Sequence, residues 1–185
     1  MRLTAVVTVA LLAPALCLAQ GNLVAGGDCE QGPTEGWLTD VIVGPVEFSV
    51  NGDIVHGGGG GLLLVVGQSG RGIVRSPAFA VEPGKQYRIT VWAAAAEAPV
   101  DMVYARVHWW AGEPGVASAE TIKDDTQHVG GTFDWTELTA TVSAPSDAQM
   151  ATIRLETGGD TGVLNTETEG PFWVRFDDLS VVPVE

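Results

Sequence analysis

Residues 172–182 read FWVRFDDLSVV and decide the fold class. Phe172, Val174 and Phe176 alternate with Trp173, Arg175 and Asp177, the period-two pattern of a half-buried strand with one core face and one polar face. Two adjacent carboxylates, Asp177 and Asp178, then interrupt the alternation before Leu179 and Val181 resume it. Such an interruption predicts a bulge that re-aims a side chain, and the paired charge needs a neutralising partner. The acidic segment containing Asp28 and Glu30 is expected to lie beside it.

The same short-period grammar runs through the chain, with apolar runs separated by Gly, Pro, Asn and Asp and no sustained helical periodicity. Residues 41–50 read as an edge strand interrupted by Pro45. The glycines at 57–61 run directly into the apolar strand 62–66. Strands are expected over 87–94 and 102–110, separated by an Ala-rich connection that ends at Pro99. A polar crossing over 111–131 holds a short strand near 119–122 and places Asp124 and Asp125 at an exposed tip. Further strands cover 135–142 and 150–157, and a long polar loop spans 157–171. Nine or ten strands with turn signals at this spacing imply an all-β, two-sheet antiparallel sandwich of jelly-roll type.

The N-terminus carries Met1 and Arg2, an apolar run over 3–16 and small residues at Cys17 and Ala19, the pattern of an export signal cut before Gln20. The run is shorter than a membrane span requires. Residues 20–185 then form one domain that is secreted, extracellular or periplasmic, with no membrane attachment after removal of the leader. The formal charge is −14, and loss of Arg2 makes it one unit more negative. That charge disfavours nucleic acid, anionic lipid and acidic polysaccharides, and leaves neutral sugars and divalent cations as partners. Cys29 is the cysteine left after the cut, so no intrachain disulfide is available and Cys29 reads as a small buried hydrophobe.

Four stretches resemble, in order, the jelly-roll carbohydrate-binding modules of bacterial glycan-degrading enzymes, within the galactose-binding-like superfamily. They are NLVAGGDCEQG at 22–32 with Trp37, HGGGGGLLLVV at 56–66, SPAFAVEPGKQYRITVWAAA at 76–95 and FDDLSV at 176–181. The likeness is to the type grouped as families 4, 9 and 22, which implies a galactose-binding-like β-sandwich. Cys29 departs from the large aromatic those modules often carry, and glycine replaces most of the polar residues after His56.

The resemblance implies a structural calcium joining the first and last strands. Glu30 and one of Asp177 or Asp178 would supply carboxylates, completed by carbonyls near Asp28 and 57–60. For sugar binding, Tyr104, His108 and Trp110 on one strand face and Arg154 and Glu156 on another offer rings for a pyranose and polar groups for its hydroxyls. Trp109 reads as core from its parity, Trp37 and Trp135 resemble packing residues, and Trp92 and Trp173 stay open between the two roles. His56, His108 and His128 are too scattered for zinc.

The chain therefore reads as a non-catalytic module for a neutral polysaccharide of the xylan or β-glucan class, with a separate glycan-degrading enzyme as a possible partner. The alternative is an extracellular structural or adhesive sandwich without a sugar site. An enzyme would need Glu137 and Glu156 to face each other across neighbouring strands.

Overall fold

The computed structural model describes residues 21–30, 36–68, 70–115, 120–158 and 171–185. The leader assigned to 1–19 and most of the polar loop 157–171 lie outside the described residues. Every regular element described is a strand: β1 (Leu38–Val43), β2 (Val46–Asn51), β3 (Gly61–Val66), β4 (Arg71–Arg75), β5 (Phe79–Ala80), β6 (Gln86–Trp110), β7 (Glu120–Asp125), β8 (Val129–Ser143), β9 (Met150–Thr157) and β10 (Phe172–Pro183). All pairings are antiparallel, in the order β1-β4-β9-β6-β10-β3-β2, with β8 and β7 on β6 and β5 on β9. This is the expected jelly-roll sandwich.

The two layers share β6. Its first half pairs with β10 and β8, its second half with β9 and β7. The two strands expected over 87–94 and 102–110 are therefore one strand of 25 residues. Glu97 and Asp101 take left-handed φ values of 59° and 60°, and the β8 register skips between Ala98 and Val103. Pro99 sits inside that skip, where no ladder bond asks for its missing N–H. The bend folds the strand over the core, so that Tyr87 from the first half and Trp109 from the second meet at 6.0 Å between ring centroids.

Alternation fills the interior from both layers. Ile89, Val91, Val107, Leu138, Ile153, Leu155, Leu64 and Phe176 are all at most 1% exposed. At ~25 cal/mol per Å2 of apolar surface removed from water, each such side chain contributes about 1.5–3 kcal/mol. Trp109 is core as expected, and its indole N–H donates to Asp124 at 2.8 Å.

Two further sequence expectations change in the fold. The single edge strand over 41–50 is two, because Gly44 and Pro45 break it into β1 and β2, which end up at opposite edges of the pairing order. Asp124 and Asp125 end strand β7 against Trp109 and Arg106 rather than capping an exposed tip.

Strand β10 contains the predicted bulge. Its register against β6 shifts between Asp177 and Ser180, and Asp178 has φ +47°. The extra residue flips the parity, which lets Leu179 and Val181 return to the core at 1% and 2% exposure.

Candidate functional site

The second half of β6 and β9 bring the five sequence-predicted sugar residues together on one outer face. The register sets Tyr104 opposite Glu156, Arg106 opposite Arg154, His108 opposite Thr152 and Trp110 opposite Met150. These side chains share a face because each lies an even number of residues from the next along its strand. The face is polar and aromatic, yet largely closed. Tyr104, His108 and Glu156 are fully buried and Trp110 is 2% exposed, whereas Arg154 stays half-buried.

The closure is built from specific contacts. The His128 ring stacks on Tyr104 at 3.9 Å and 8°, and the Arg106 guanidinium lies 5.0 Å from the same ring centroid. The Tyr104 hydroxyl donates to the Gly158 carbonyl at 3.1 Å, and burial beside Glu156 raises its pKa. The Trp110 indole donates to Thr152 Oγ1 at 3.2 Å. Arg71 donates to Glu156 Oε2 at 2.8 Å, which leaves Glu156 Oε1 and Arg71 Nε buried without partners among the described residues.

Arg106 grips Asp125 through Nε at 2.5 Å and Nη2 at 2.6 Å. Burial alone would raise the Asp125 pKa, but that grip and His128 at 3.1 Å hold it below the usual carboxylate range. His108 has a different balance. Its Nδ1 lies 2.9 Å from Glu120 Oε1 without hydrogen-bond geometry, and Nε2 has no partner among the described residues. Burial, then Arg154, outweigh the pull of Glu120 and push the imidazole down to about 4, so His108 is neutral near pH 7.

The carboxylates expected at the metal lie on the other layer, along a clasp between the N-terminal segment, the glycine run and the β10 bulge. Leu23 N–H donates to the Val181 carbonyl at 2.9 Å and Leu179 N–H to Gly27 at 2.7 Å. Asn22 Nδ2 donates to the Leu179 carbonyl at 2.7 Å, and its Oδ1 accepts from Val181 N–H at 2.9 Å. Asp177 is fully buried, and its carboxylate accepts N–H bonds from His56, Gly57 and Asp178 at 2.9, 3.3 and 2.8 Å. Burial raises its pKa against the pull of those donors.

Glu30 accepts from Gly59 N–H with both oxygens, and Asp178 Oδ2 meets His56 Nδ1 at 2.7 Å. His56 stacks in turn on Trp92 at 3.8 Å and meets Trp135 edge-on at 5.8 Å. Trp37 is core, while Trp173 stays half-buried beneath Arg175.

Among the described residues no three carboxylate, imidazole or thiol groups converge closely enough to hold a metal alone. A shell of two carboxylates and carbonyls is a different matter. A Cβ at Gly57 would press on Asp178 Oδ2 at 2.9 Å, and one at Gly60 on the Glu30 and Cys29 carbonyls at 2.8 and 3.2 Å. Glycine at these two positions thus leaves hard oxygen atoms uncovered, and carboxylate and carbonyl oxygens are the donor types that calcium takes. Asp177 is already engaged by three N–H donors, so Asp178 is the member of the pair with an oxygen to spare. Cys29 is itself buried at 5% exposure, its thiol pushed up to about 12 by burial and by Asp177.

The acid pair required of an enzyme does not form. Glu137 lies on β8 opposite Trp92, whereas Glu156 lies on β9 opposite Tyr104, in different layers. Neighbour order in a sheet is not written in local sequence, so only the register separates the two. Glu137 instead borders an open depression of about 450 Å3 with Arg88, Thr90, Thr139 and Thr141, which contains none of the five sugar residues.

The sequence matches no family model and no curated protein. Solved structures do match it. A family 16 carbohydrate-binding module superposes with a TM-score of 0.58 at 16% identity, over 87% of this chain and 99% of that one. The chain has the fold of carbohydrate-binding modules. A Clostridium thermocellum xylanase segment that joins a family 22 module to its hydrolase module, solved with xylohexaose, gives 0.59 at 14% identity. The enzymatically active domain of a bacteriophage CBA120 tailspike protein gives 0.61 at 12%. The chain covers 29% and 21% of these two longer chains, with 89% and 88% of its own length matched. Several matches that span nearly all of the other chain, the family 16 module among them, are to carbohydrate-binding modules.

Proposed function

We propose that the protein is an exported, non-catalytic carbohydrate-binding module whose ligand is a polysaccharide with a neutral backbone of the xylan or β-glucan class. The observation that carries the reading is the register of β6 against β9, which gathers Tyr104, His108, Trp110, Arg154 and Glu156 on one face. Rings pack against the C–H faces of pyranoses, and buried Glu156 and half-buried Arg154 discriminate hydroxyl positions. Ligand entry displaces the His128 ring from Tyr104. The fold shared with binding modules, one of them joined to a xylanase, supports the same ligand class. A separate glycan-degrading enzyme is its natural partner.

Calcium belongs to the proposal as a structural ion of the clasp. Glu30, Asp178 and the carbonyls of Cys29 and Glu30 would hold it, tying the N-terminal segment to β10. A melting temperature that falls when EGTA replaces calcium supports that role, and an unchanged one refutes it.

The test of the function is calorimetric titration with xylans, β-glucans and mannans. Binding is expected to weaken at least tenfold in Glu156→Gln and to strengthen in His128→Ala. A second reading, a structural or adhesive sandwich, is favoured by the burial of Tyr104, His108, Trp110 and Glu156. It prevails if the folded protein gives no heat with any of the three glycan classes.

A further inference from the structure

The chain has nine Lys and Arg against 23 Asp and Glu. Five of those cations, Arg71, Arg75, Arg106, Lys123 and Arg154, stand on or beside the outer face of the layer formed by β4, β9, β6 and β7. Within it the registers set Arg75 directly opposite Arg154 and Arg154 directly opposite Arg106, three arginines abreast across three adjacent strands. Like charges directly opposite each other destabilise a sheet. A strongly acidic chain has placed them there nonetheless.

The pairing of the surrounding charges shows which of the cations are spoken for. Arg106 is held by Asp125, Arg71 by Glu156, and Lys123 lies 3.4 Å from Glu120. Arg75 and Arg154 have no side-chain hydrogen bond or ion pair among the described residues. Burial and the field of Arg75 lower the Arg154 pKa, against the pull of Glu156, Glu120 and Asp40, none of which bonds to it. Both arginines are half-buried, while Tyr104 and His108 beside them are fully enclosed. Arg75 and Arg154 are thus accessible cations of this face that, unlike Arg71 and Lys123, have no acidic partner among the described residues.

We propose that Arg75 and Arg154 form an anion subsite that receives the carboxylate of an acidic sugar branch on the bound glycan. The proposal rests on the carbohydrate-binding reading and adds its substrate class. A guanidinium fork matches a carboxylate in two parallel hydrogen bonds, and a bound anion relieves the repulsion across β4 and β9. The net charge of −14 repels a densely charged polyanion, so the fitting ligand carries sparse carboxylates on a neutral chain. Arg75, outside the sugar residues legible in sequence, becomes a specificity determinant.

Three probes test the subsite by calorimetry: xylohexaose, the same oligosaccharide with one glucuronic acid branch, and polygalacturonate. The branched probe is expected to bind at least tenfold tighter than xylohexaose and tighter than polygalacturonate. The ratio of the first two affinities should fall below about threefold in Arg75→Gln and in Arg154→Gln, and stay intermediate in Arg75→Lys, which keeps charge without the fork. Equal binding of the two oligosaccharides, a preference that survives both glutamine variants, or tighter binding of polygalacturonate overturns the subsite while leaving the carbohydrate reading intact. If no probe binds to protein whose thermal unfolding is normal, the carbohydrate reading fails and the subsite with it.

Discussion

Acidification should destabilise this protein through one imidazole, and His108→Asn should remove the effect. His108 is fully buried, and its folded-state pKa is about 4 against an ordinary 6.5. The unfolded chain therefore binds a proton that the folded chain refuses between those two values, so stability rises with pH across the window and is lost as pH falls from about 6.5. At about 1.4 kcal/mol per pKa unit, the loss contributed by this group between pH 7.5 and pH 5 is about 2 kcal/mol. For a domain of this size that is a shift of about 1 M in the urea midpoint.

The assay is equilibrium urea unfolding at several pH values, for the protein and for His108→Asn. Subtracting the two profiles cancels the carboxylates common to both. The opposing contribution comes from Glu120, 2.9 Å from Nδ1, because a carboxylate that close favours the charged ring. A difference profile that is flat, or that shows the wild type gaining stability on acidification, would mean that Glu120 outweighs burial and the nearby arginines.

Asp177→Ala strips the acceptor from three backbone N–H groups and should cost about 3 kcal/mol in chemical denaturation with an unchanged m value; a cost under 1 kcal/mol would show that water takes those bonds over. Gly58→Ala combines φ +60° with a Cβ that overlaps the Glu30 carboxylate and should cost about 2 kcal/mol, whereas Gly84→Ala, at φ +75° with open space around it, should cost about half as much by thermal unfolding. Equal costs at the two glycines would remove Glu30 from the clasp. Leu155→Ala empties a fully buried site between the layers and should lower stability by about 2–5 kcal/mol, with the small end of that range marking local collapse.

Much of this architecture was legible because a strand repeats every two residues. Parity alone put Phe176 and Trp109 inside, set Tyr104, His108 and Trp110 on one face, and marked the Asp177–Asp178 pair as a bulge. What parity lacks is any information about neighbours across the sheet. It could not show that 87–94 and 102–110 are a single bent strand, that Glu137 and Glu156 belong to different layers, or that His128 folds over Tyr104. Arg75 escaped notice for the same reason. In RGIVR the buried Ile73 shares a face with both arginines, and only the order β4-β9-β6 turns Arg75 on a five-residue strand into the end of a row.

The bend in β6 also ties the fate of the two layers together. Strand β6 contributes its first half to the clasped layer and its second to the layer that carries Tyr104 and Arg106, so neither layer can open without unpairing a strand that holds the other. Amide protons at both ends of β6, Ile89 and Val107 among them, should therefore exchange only by the same whole-domain unfolding, with equal protection free energies. A glycan that stabilises the face around Arg154 would then slow exchange at Ile89, in the opposite layer, by the same factor as at Val107.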